Sequence, residues 1–327
     1  MKIEKMGKQH TEEAAKTLVY NYQQELKHVP SLPGIDFFDY FYNSINDIIQ
    51  KHYSIVAVKN NKILGFLSGI PVNALKGLHR GIYCGINTHG AIGDKKDIYQ
   101  RLYENISEIW VKNGCITHAI AIFAHDEPSV NTWFHLGFGN RCVDSMRSLI
   151  DIAEINENQC EIKLLTESDA EILFDLHSEH HKYYAKAPLF MPVLNKTTVD
   201  ELKNKLLSKG KYTWAAFKNN KPIAMMSCRK GGEYPFIANE EKTINVFGAY
   251  TLEETRGTGV SVSLLNTIIR WARKNGFERL GVDYESFNRY GSRFWEKHFT
   301  PFVYCLFRKI DENILWANAE RMNTILI

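Results

Sequence analysis

The chain repeats itself once, and that repeat sets the scale of whatever it folds into. Val58-Lys59-Asn60-Asn61-Lys62-Ile63-Leu64 has a counterpart in Phe217-Lys218-Asn219-Asn220-Lys221-Pro222-Ile223. Both read as two apolar strands joined at an Asn-Asn pair, which tolerates left-handed backbone. Trp110-Val111-Lys112-Asn113-Gly114 matches Ala272-Arg273-Lys274-Asn275-Gly276. Each ends a helix with a basic residue, then Asn, then Gly, which suits a helix C-terminus. Trp133 then matches Trp295 inside a short helix. Lys62 and Lys221 lie 159 positions apart, and Gly114–Gly276 and Trp133–Trp295 each lie 162 apart. Three matches in one order at a near-constant offset point to a duplicated domain rather than a solenoid. The expected division is 1–152 and 160–327.

A length of 327 residues suits two such domains, and 44% hydrophobic residues suffices for ordinary packed cores. The formal net charge of +3 offers no basic field of the kind that grips nucleic acid. No apolar run is long enough for a transmembrane helix. Met1-Lys2-Ile3-Glu4-Lys5-Met6 carries charge where a signal peptide needs its apolar stretch. The six cysteines are scattered without a C-x-x-C pair and read as reduced, mostly buried thiols. A cytoplasmic protein is expected, a monomer or homodimer that needs neither nucleic acid nor membrane.

Each half gives the same coarse order. In the second, strands are expected at Cys160–Leu164, Tyr212–Lys218, Pro222–Arg229, Thr243–Thr251, Leu280–Glu285 and Phe302–Lys309. Helices are expected from Thr166, as N-cap, to about Tyr184, and at Val199–Ser208, Val260–Asn275 and Arg289–Lys297. In the first, strands fall at Lys2–Met6, Ser54–Lys59, Lys62–Gly69, Tyr83–Thr88, Ala119–Ala124 and Met146–Ile150. Helices fall at Thr11–Leu26, Phe37–Lys51, Ile98–Asn113 and Ser129–Leu136. Asp151–Gln159 reads as a linker and Asn313–Ile327 as a short helical tail.

The chemistry concentrates in Arg256-Gly257-Thr258-Gly259-Val260-Ser261, between an apolar strand and a helix. Glycines let backbone come close to an oxyanion, and the free N–H groups and dipole of a helix start favour a phosphate. A dinucleotide fold would need G-x-G-x-x-G early in a parallel βαβ array, whereas this loop comes late and lacks the third glycine.

Strand, loop and helix together resemble the GNAT superfamily of acyl-CoA N-acyltransferases. Arg256–Ser261 fits that family's Q/R-x-x-G-x-G/A loop, with Ser261 in place of the last Gly or Ala. Asn288, seven residues before the aromatic Trp295, fits a second family position. The Gly-Phe pair that follows is altered to Phe299-Thr300 here but kept as Gly137-Phe138 in the first half, where Asp126 replaces Asn. The resemblance covers nearly the whole chain as tandem GNAT-like domains. It implies an α/β (α+β) fold in which each unit is a mixed, mostly antiparallel twisted sheet flanked by helices. The halves are not equivalent. Asn87-Thr88-His89-Gly90-Ala91-Ile92-Gly93-Asp94 has no arginine, and Asp94 either repels a diphosphate or simply caps the next helix. The first unit is therefore expected to be a degenerate scaffold and the second the catalytic one.

The resemblance implies acetyl transfer from acetyl-CoA to a primary amine of a small molecule, peptide or protein, with no metal. Tyr250, Thr251 and Leu252 would pair with the pantetheine arm, and the amides of Arg256, Gly257, Thr258, Gly259, Val260 and Ser261 would hold the pyrophosphate, with Asn288 nearby. Arg256 adds charge or is a solvated surface arginine; Ser261 and Ser263 offer hydroxyls. An amine of pKa ≈ 10.4 is neutral in only about one molecule in ~2,500 at pH 7, so a base is worth roughly 4–5 kcal/mol. The thiol leaves with pKa ≈ 8.5, only about 2 kcal/mol away, so an acid matters less. Glu285 and Asp283, two apart on one strand face, are the base candidates, Glu285 first. Glu253, Glu254 and His298 are alternatives, and each of the five is otherwise an ordinary surface or capping group. Trp295 stands where the family often has an acidic tyrosine; its indole donates a hydrogen bond without giving up the proton, or simply packs the core. Tyr284, Tyr290 or Tyr250 would then serve as acid. His177 and His181 are four apart, a metal-clamp spacing without a third ligand. Tyr183, Tyr184, Phe190 and Met191 suggest an acceptor with apolar or aromatic parts. A non-catalytic acyl-CoA-binding sensor, or transfer of a longer acyl or aminoacyl group, are the competing readings.

Overall fold

The computed structural model describes residues 1–153, 160–195, 197–231 and 235–317. These fall into two compact units. The first holds 1–30, 34–143 and the chain from Phe302 onward; the second holds 31–33 and 144–301. In order, the elements begin with β1 (Lys2–Lys5), α1 (Thr11–His28), α2 (Phe38–Lys51), β2 (Ser54–Lys59), β3 (Lys62–Ser68) and β4 (Ile70–Val72). Next come β5 (Gly81–Cys84), β6 (His89–Ala91), α3 (Lys95–Lys112), β7 (Thr117–Phe123), α4 (Glu127–His135) and β8 (Gly139–Ser148). Then follow β9 (Glu161–Leu164), α5 (Ala170–Ala185), α6 (Val199–Leu207), β10 (Lys211–Lys218), β11 (Lys221–Arg229) and β12 (Thr243–Thr251). The chain closes with α7 (Val260–Lys274), β13 (Arg279–Glu285), α8 (Arg289–His298), β14 (Thr300–Lys309) and α9 (Asn313–Ala317). This is a mixed α/β fold of mostly antiparallel strands flanked by helices.

The two hairpins expected at the Asn-Asn pairs form as read. Asn60, Asn61, Asn219 and Asn220 all have φ between 51° and 59°, the left-handed pair that matches strand twist in a two-residue turn. Both hairpins carry an irregularity at corresponding places, between Ala57 and Val58 and between Ala216 and Phe217. In the second unit, β9, β10, β11 and β12 run antiparallel in series and β13 then joins β12 in parallel. Core side chains from α5, α6, β10 and β11 fill one face, among them Leu173, Leu176, Leu202 and Ala215. The amphipathic α7 buries Leu264, Leu265, Ile268, Ile269 and Ala272 on the face read from the sequence.

In the first unit, of the single strand expected at Tyr83–Thr88 only Tyr83 and Cys84 are strand, at the end of β5, and β6 begins beyond it at His89. β5 pairs with β4 and, in parallel, with β7, whereas β6 pairs with β3. Gly85–Thr88 turns between them. The Thr88 amide and hydroxyl both donate to the Gly85 carbonyl, at 2.9 and 3.0 Å, and the hydroxyl also reaches the Ser68 carbonyl. A side chain that satisfies two carbonyls locally competes with the ladder and breaks it. The boundaries expected from the sequence are 1–152 and 160–327; packing groups the last strand differently, because Val303–Lys309 of β14 pairs antiparallel with β7. The expected linker Asp151–Gln159 lies mostly outside the described residues, but its start is held. Ile152 exchanges two 2.8 Å hydrogen bonds with the Asn266 side chain, and Asp151 accepts from Arg270 and Arg273. Of the expected tail helix, Asn313–Ala317 is helical and residues 318–327 lie outside the described residues.

Candidate active site

β12 and β13 share a ladder only from Thr243/Arg279 to Val246/Val282. Beyond it the strands part. The cause is local: Phe247 is an extra residue on β12, because the β11 register passes from Ser227–Gly248 to Cys228–Val246. A bulge adds twist and redirects the strand. Gly281 supports the same point. A Cβ there would lie 2.1 Å from the Asn245 side chain, which is fully buried and donates to the Ala238 carbonyl. Past the fork, β12 is bonded on its β11 side through Thr251, so the edge that faced β13 carries no ladder.

A cavity of about 240 Å³ opens there. Its walls include Tyr250 and Thr251 of β12, Arg256 and Gly257 of the following loop, Ser261 and Leu264 of α7, and Asn288, Tyr290 and Trp295 at α8. The loop folds as its glycines require. Gly257 and Gly259 take φ of +80° and +88°, which other residues enter only with strain, and Gly259 is the N-cap of α7. Thr258 closes the turn by donating to the Thr255 carbonyl at 2.8 Å. Among the described residues, the amides of residues 257–261 have no acceptor in the protein. Thr251 and Ser261 hydroxyls meet at 2.8 Å, joining strand end to helix start.

Arg256 is not a solvated surface arginine. Its Nε donates to the Thr251 carbonyl at 3.2 Å, and its guanidinium lies 4.6 Å from the Tyr290 ring centre, 5.2 Å from Tyr183 and 5.9 Å from Tyr250. Among the described residues it is the one charged side chain that lines the cavity. Asn288 caps α8 by accepting from the Gly291 amide, and the same oxygen accepts the Tyr183 hydroxyl at 2.7 Å. Burial pushes the Tyr183 and Tyr250 phenols up, and Arg256 draws them partly back.

Apart from Trp295, the remaining candidates sit around this cavity rather than in its wall. Leu252 turns away, its amide donating to the Ile223 carbonyl and its side chain packed on the core. Thr258, Gly259 and Val260 build the turn, with Val260 buried. Asp283 and Glu285 lie at the end of β13, Asp283 exposed and Glu285 half-buried, and neither lines the cavity. Burial pushes the neighbouring Asp144 carboxyl well above its usual range, and the Asp283 charge adds to that. Tyr284 points to the buried side of β13. Trp295 both lines the cavity and packs edge-on to Phe294 and Phe299. Burial lowers His298, further from its usual range because of Arg147 and Lys297.

Sequence reasoning placed Tyr183 at an acceptor wall; the structure brings it to the cavity, beside His180. The His180 ring packs on Tyr184 and Tyr250 and lies 3.9 Å from where a Gly248 Cβ would sit. Burial, reinforced by His177 and His181, lowers its pKa to about 3, so it stays neutral. The spacing of His180, Tyr183 and Tyr184 along one helical face was the available signal. His177 and His181 rings lie 4.3 Å apart, and among the described residues no group of three or more His, Cys, Asp or Glu is arranged for a metal. Among those residues no helix is long and apolar enough to cross a membrane.

Residues 173–299 match the model of the Acetyltransferase (GNAT) family. Two solved structures are similar in fold over 94% of this chain. One is a GCN5-related N-acetyltransferase from Sphaerobacter thermophilus, at 8% identity and TM-score 0.58, over 95% of that chain. The other is a glucosamine N-acetyltransferase region of a fungal multi-domain GH3 beta-N-acetylglucosaminidase, at 12% identity and TM-score 0.51, over 38% of that chain. No curated protein matches by sequence. The chain thus carries a GNAT acetyltransferase domain in its second half.

Proposed function

We propose that this GNAT domain transfers an acetyl group from acetyl-CoA to a primary amine, and that the first unit is a copy of the same fold that does not hold the cosubstrate. One observation carries the reading: a cavity that runs from the fork of β12 and β13 to a set of partnerless amides at residues 257–261. The residues present fit a diphosphate. The amides are free, the wall has a cation and no carboxylate, and the left-handed glycines leave the backbone exposed. In this reading residues 257–261 bind the diphosphate, and the open edge of Tyr250 and Thr251 takes the extended arm as an added strand. Bound acetyl-CoA supplies the thioester.

The chain's own groups then bind, orient and move protons. Arg256, held by Thr251 and three rings, places its charge at the loop. Asn288 offers a carboxamide once Tyr183 yields it. Tyr250 and Tyr290 bring hydroxyls into the cavity, where a tyrosine is able to hydrogen-bond a departing thiolate that Trp295 cannot protonate. Glu285 and Asp283 stand at the mouth of β13 and serve the amine through water, Glu285 first. Tyr183 in the wall, with Tyr184 packed beside it, favours an acceptor with an aromatic or aliphatic part.

Turnover of acetyl-CoA against a panel of amines, read as thiol release, tests the reaction. Calorimetric titration of CoA into wild type and Gly259→Trp tests the site. The expected result is amine-dependent thiol release, with CoA affinity lost in Gly259→Trp. Normal CoA binding by that variant would remove the glycine loop as the cosubstrate site.

A further inference from the structure

The first unit contains the larger cavity, about 670 Å³, in the cleft that corresponds to the one just described. It is walled by α1, by the Ile92–Lys95 loop into α3, and by the start of α4. Its chemistry is opposite in sign. α1 sets Glu13, Thr17, Asn21 and Glu25 four apart along the cavity side, and Thr17, Asn21 and Glu25 are 4%, 8% and 2% exposed. Buried polar groups in a helix stripe that packing alone would fill with aliphatic residues need a purpose.

Glu25 is the centre of this arrangement. One carboxylate oxygen accepts His125 Nδ1–H at 2.8 Å and the other accepts the His125 backbone amide at 3.1 Å. With Nδ1 taken up by Glu25, Nε2 is the ring nitrogen left for another partner. His28 stacks on that ring at 4.8 Å, the planes within 2°. At the other wall Lys95 donates to Asp126 at 2.6 Å and approaches Asn21 at 3.4 Å, so its charge is already matched. Three carboxylates, Glu13, Glu25 and Asp126, line the cavity against the ammonium groups of Lys16 and Lys95. Lys16 is tied at 2.6 Å to Glu12, outside the lining. The carboxylates of the lining therefore outnumber its ammonium groups. The α3 start is closed to anions as well: Asp94 caps it by accepting the Asp97 amide.

We propose that this cavity binds a small organic cation, a molecule carrying a primary or secondary ammonium group, with the carboxylates of Glu13 and Asp126 accepting its N–H bonds and Glu25 holding His125 at the wall. The site is separate from the acyl-CoA cleft of the second unit and does not depend on that assignment.

The probe is 1,4-diaminobutane, titrated into the full-length protein and followed by calorimetry and by amide NMR shifts, with glutarate as an anion of similar length. The expected result is saturable diamine binding that weakens with added salt and moves the amides of Gly93 and His125, while glutarate moves neither. Glu13→Gln, a change at a half-buried rim position, should weaken the diamine at least tenfold, and Glu13→Gln with Glu25→Gln should abolish it. If the double variant melts early, the single one decides. Gly259→Trp should leave the diamine shifts intact, which separates this site from the other. Equal binding of glutarate, unmoved Gly93 and His125 amides, or an unchanged affinity in Glu13→Gln would each overturn the assignment.

Discussion

The two clefts use the same parts and reach opposite chemistries. In the second unit the strand before the glycine loop is continuous, kinked once at Phe247; in the first it is cut in two at Gly85–Thr88. The second loop has two left-handed glycines, the first only Gly93 at +83°. The cap of the last helix is Asn288 in one and Asp126 in the other. That change of one carboxamide to a carboxylate reorganises the wall. Asn288, neutral, accepts a tyrosine hydroxyl; Asp126 draws in Lys95 and closes an ion pair about 15% exposed. A cleft lined by Arg256, with no carboxylate among the described lining residues, suits an anion, and one with surplus carboxylates repels it. The lesson is that clefts built from the same order of elements can differ in lining charge through their cap residues and turn residues.

The largest expected effect contrasts the two loops. Gly259→Trp places a bulky residue at φ +88°, costing about 1–2 kcal/mol in strain besides its bulk in the cleft, so CoA affinity should drop on the order of 100-fold. Gly93→Trp, equally strained at +83°, should leave CoA affinity unchanged; calorimetry on both variants checks this. Equal losses would erase the distinction between the loops.

Next comes stability at the two caps. Asp126→Ala removes a cap and strands Lys95, an expected loss of about 2–3 kcal/mol. Asn288→Ala removes a cap whose other partner, Tyr183, is able to turn to water, an expected loss of about 1 kcal/mol. Urea unfolding curves of the two variants would show whether that order holds.

Acid should weaken both units, each through its own histidines. Burial holds His180 at about 3 and His177 at about 4 in the second unit, and His89 and His118 at about 4 in the first. Each ring is neutral when folded and takes up a proton on unfolding once the pH falls below its ordinary value of 6.5. Unfolded protein then binds more protons, so stability is full above that value and falls as pH drops toward about 4. His180→Phe should flatten the acid side of the melting profile for the second unit only, which domain-resolved hydrogen exchange would register.

The smallest effect concerns Tyr183. Its hydroxyl occupies the Asn288 oxygen that the cosubstrate is proposed to approach, so Tyr183→Phe should tighten CoA by roughly twofold to threefold, within the net worth of one part-buried hydrogen bond. Weaker binding in that variant would make Tyr183 a ligand contact instead.

Much of this architecture was legible in the residues. The Asn-Asn hairpins, the amphipathic α7 and strand Thr243–Thr251 follow from turn chemistry and periodicity, which act within a few positions. The break at Gly85–Thr88 was not, because Thr88 gains its second carbonyl from Ser68, twenty residues away. Nor was the hydrogen bond of Tyr183 to Asn288, 105 residues distant. Glu285 and Asp283 were legible as strand-end carboxylates, but their distance from the cavity wall depends on how far β13 swings from β12.

By itself the sequence determined the period, the order of elements and a glycine turn able to present bare amides, since all three rest on short-range conformational preference. Only the tertiary structure decided where the parallel strands part, that Arg256 is seated among three tyrosines, and that the first cleft is walled by carboxylates. Those outcomes are sums over groups far apart in the chain, and the sign of a cavity's charge exists only once folding has brought its walls together.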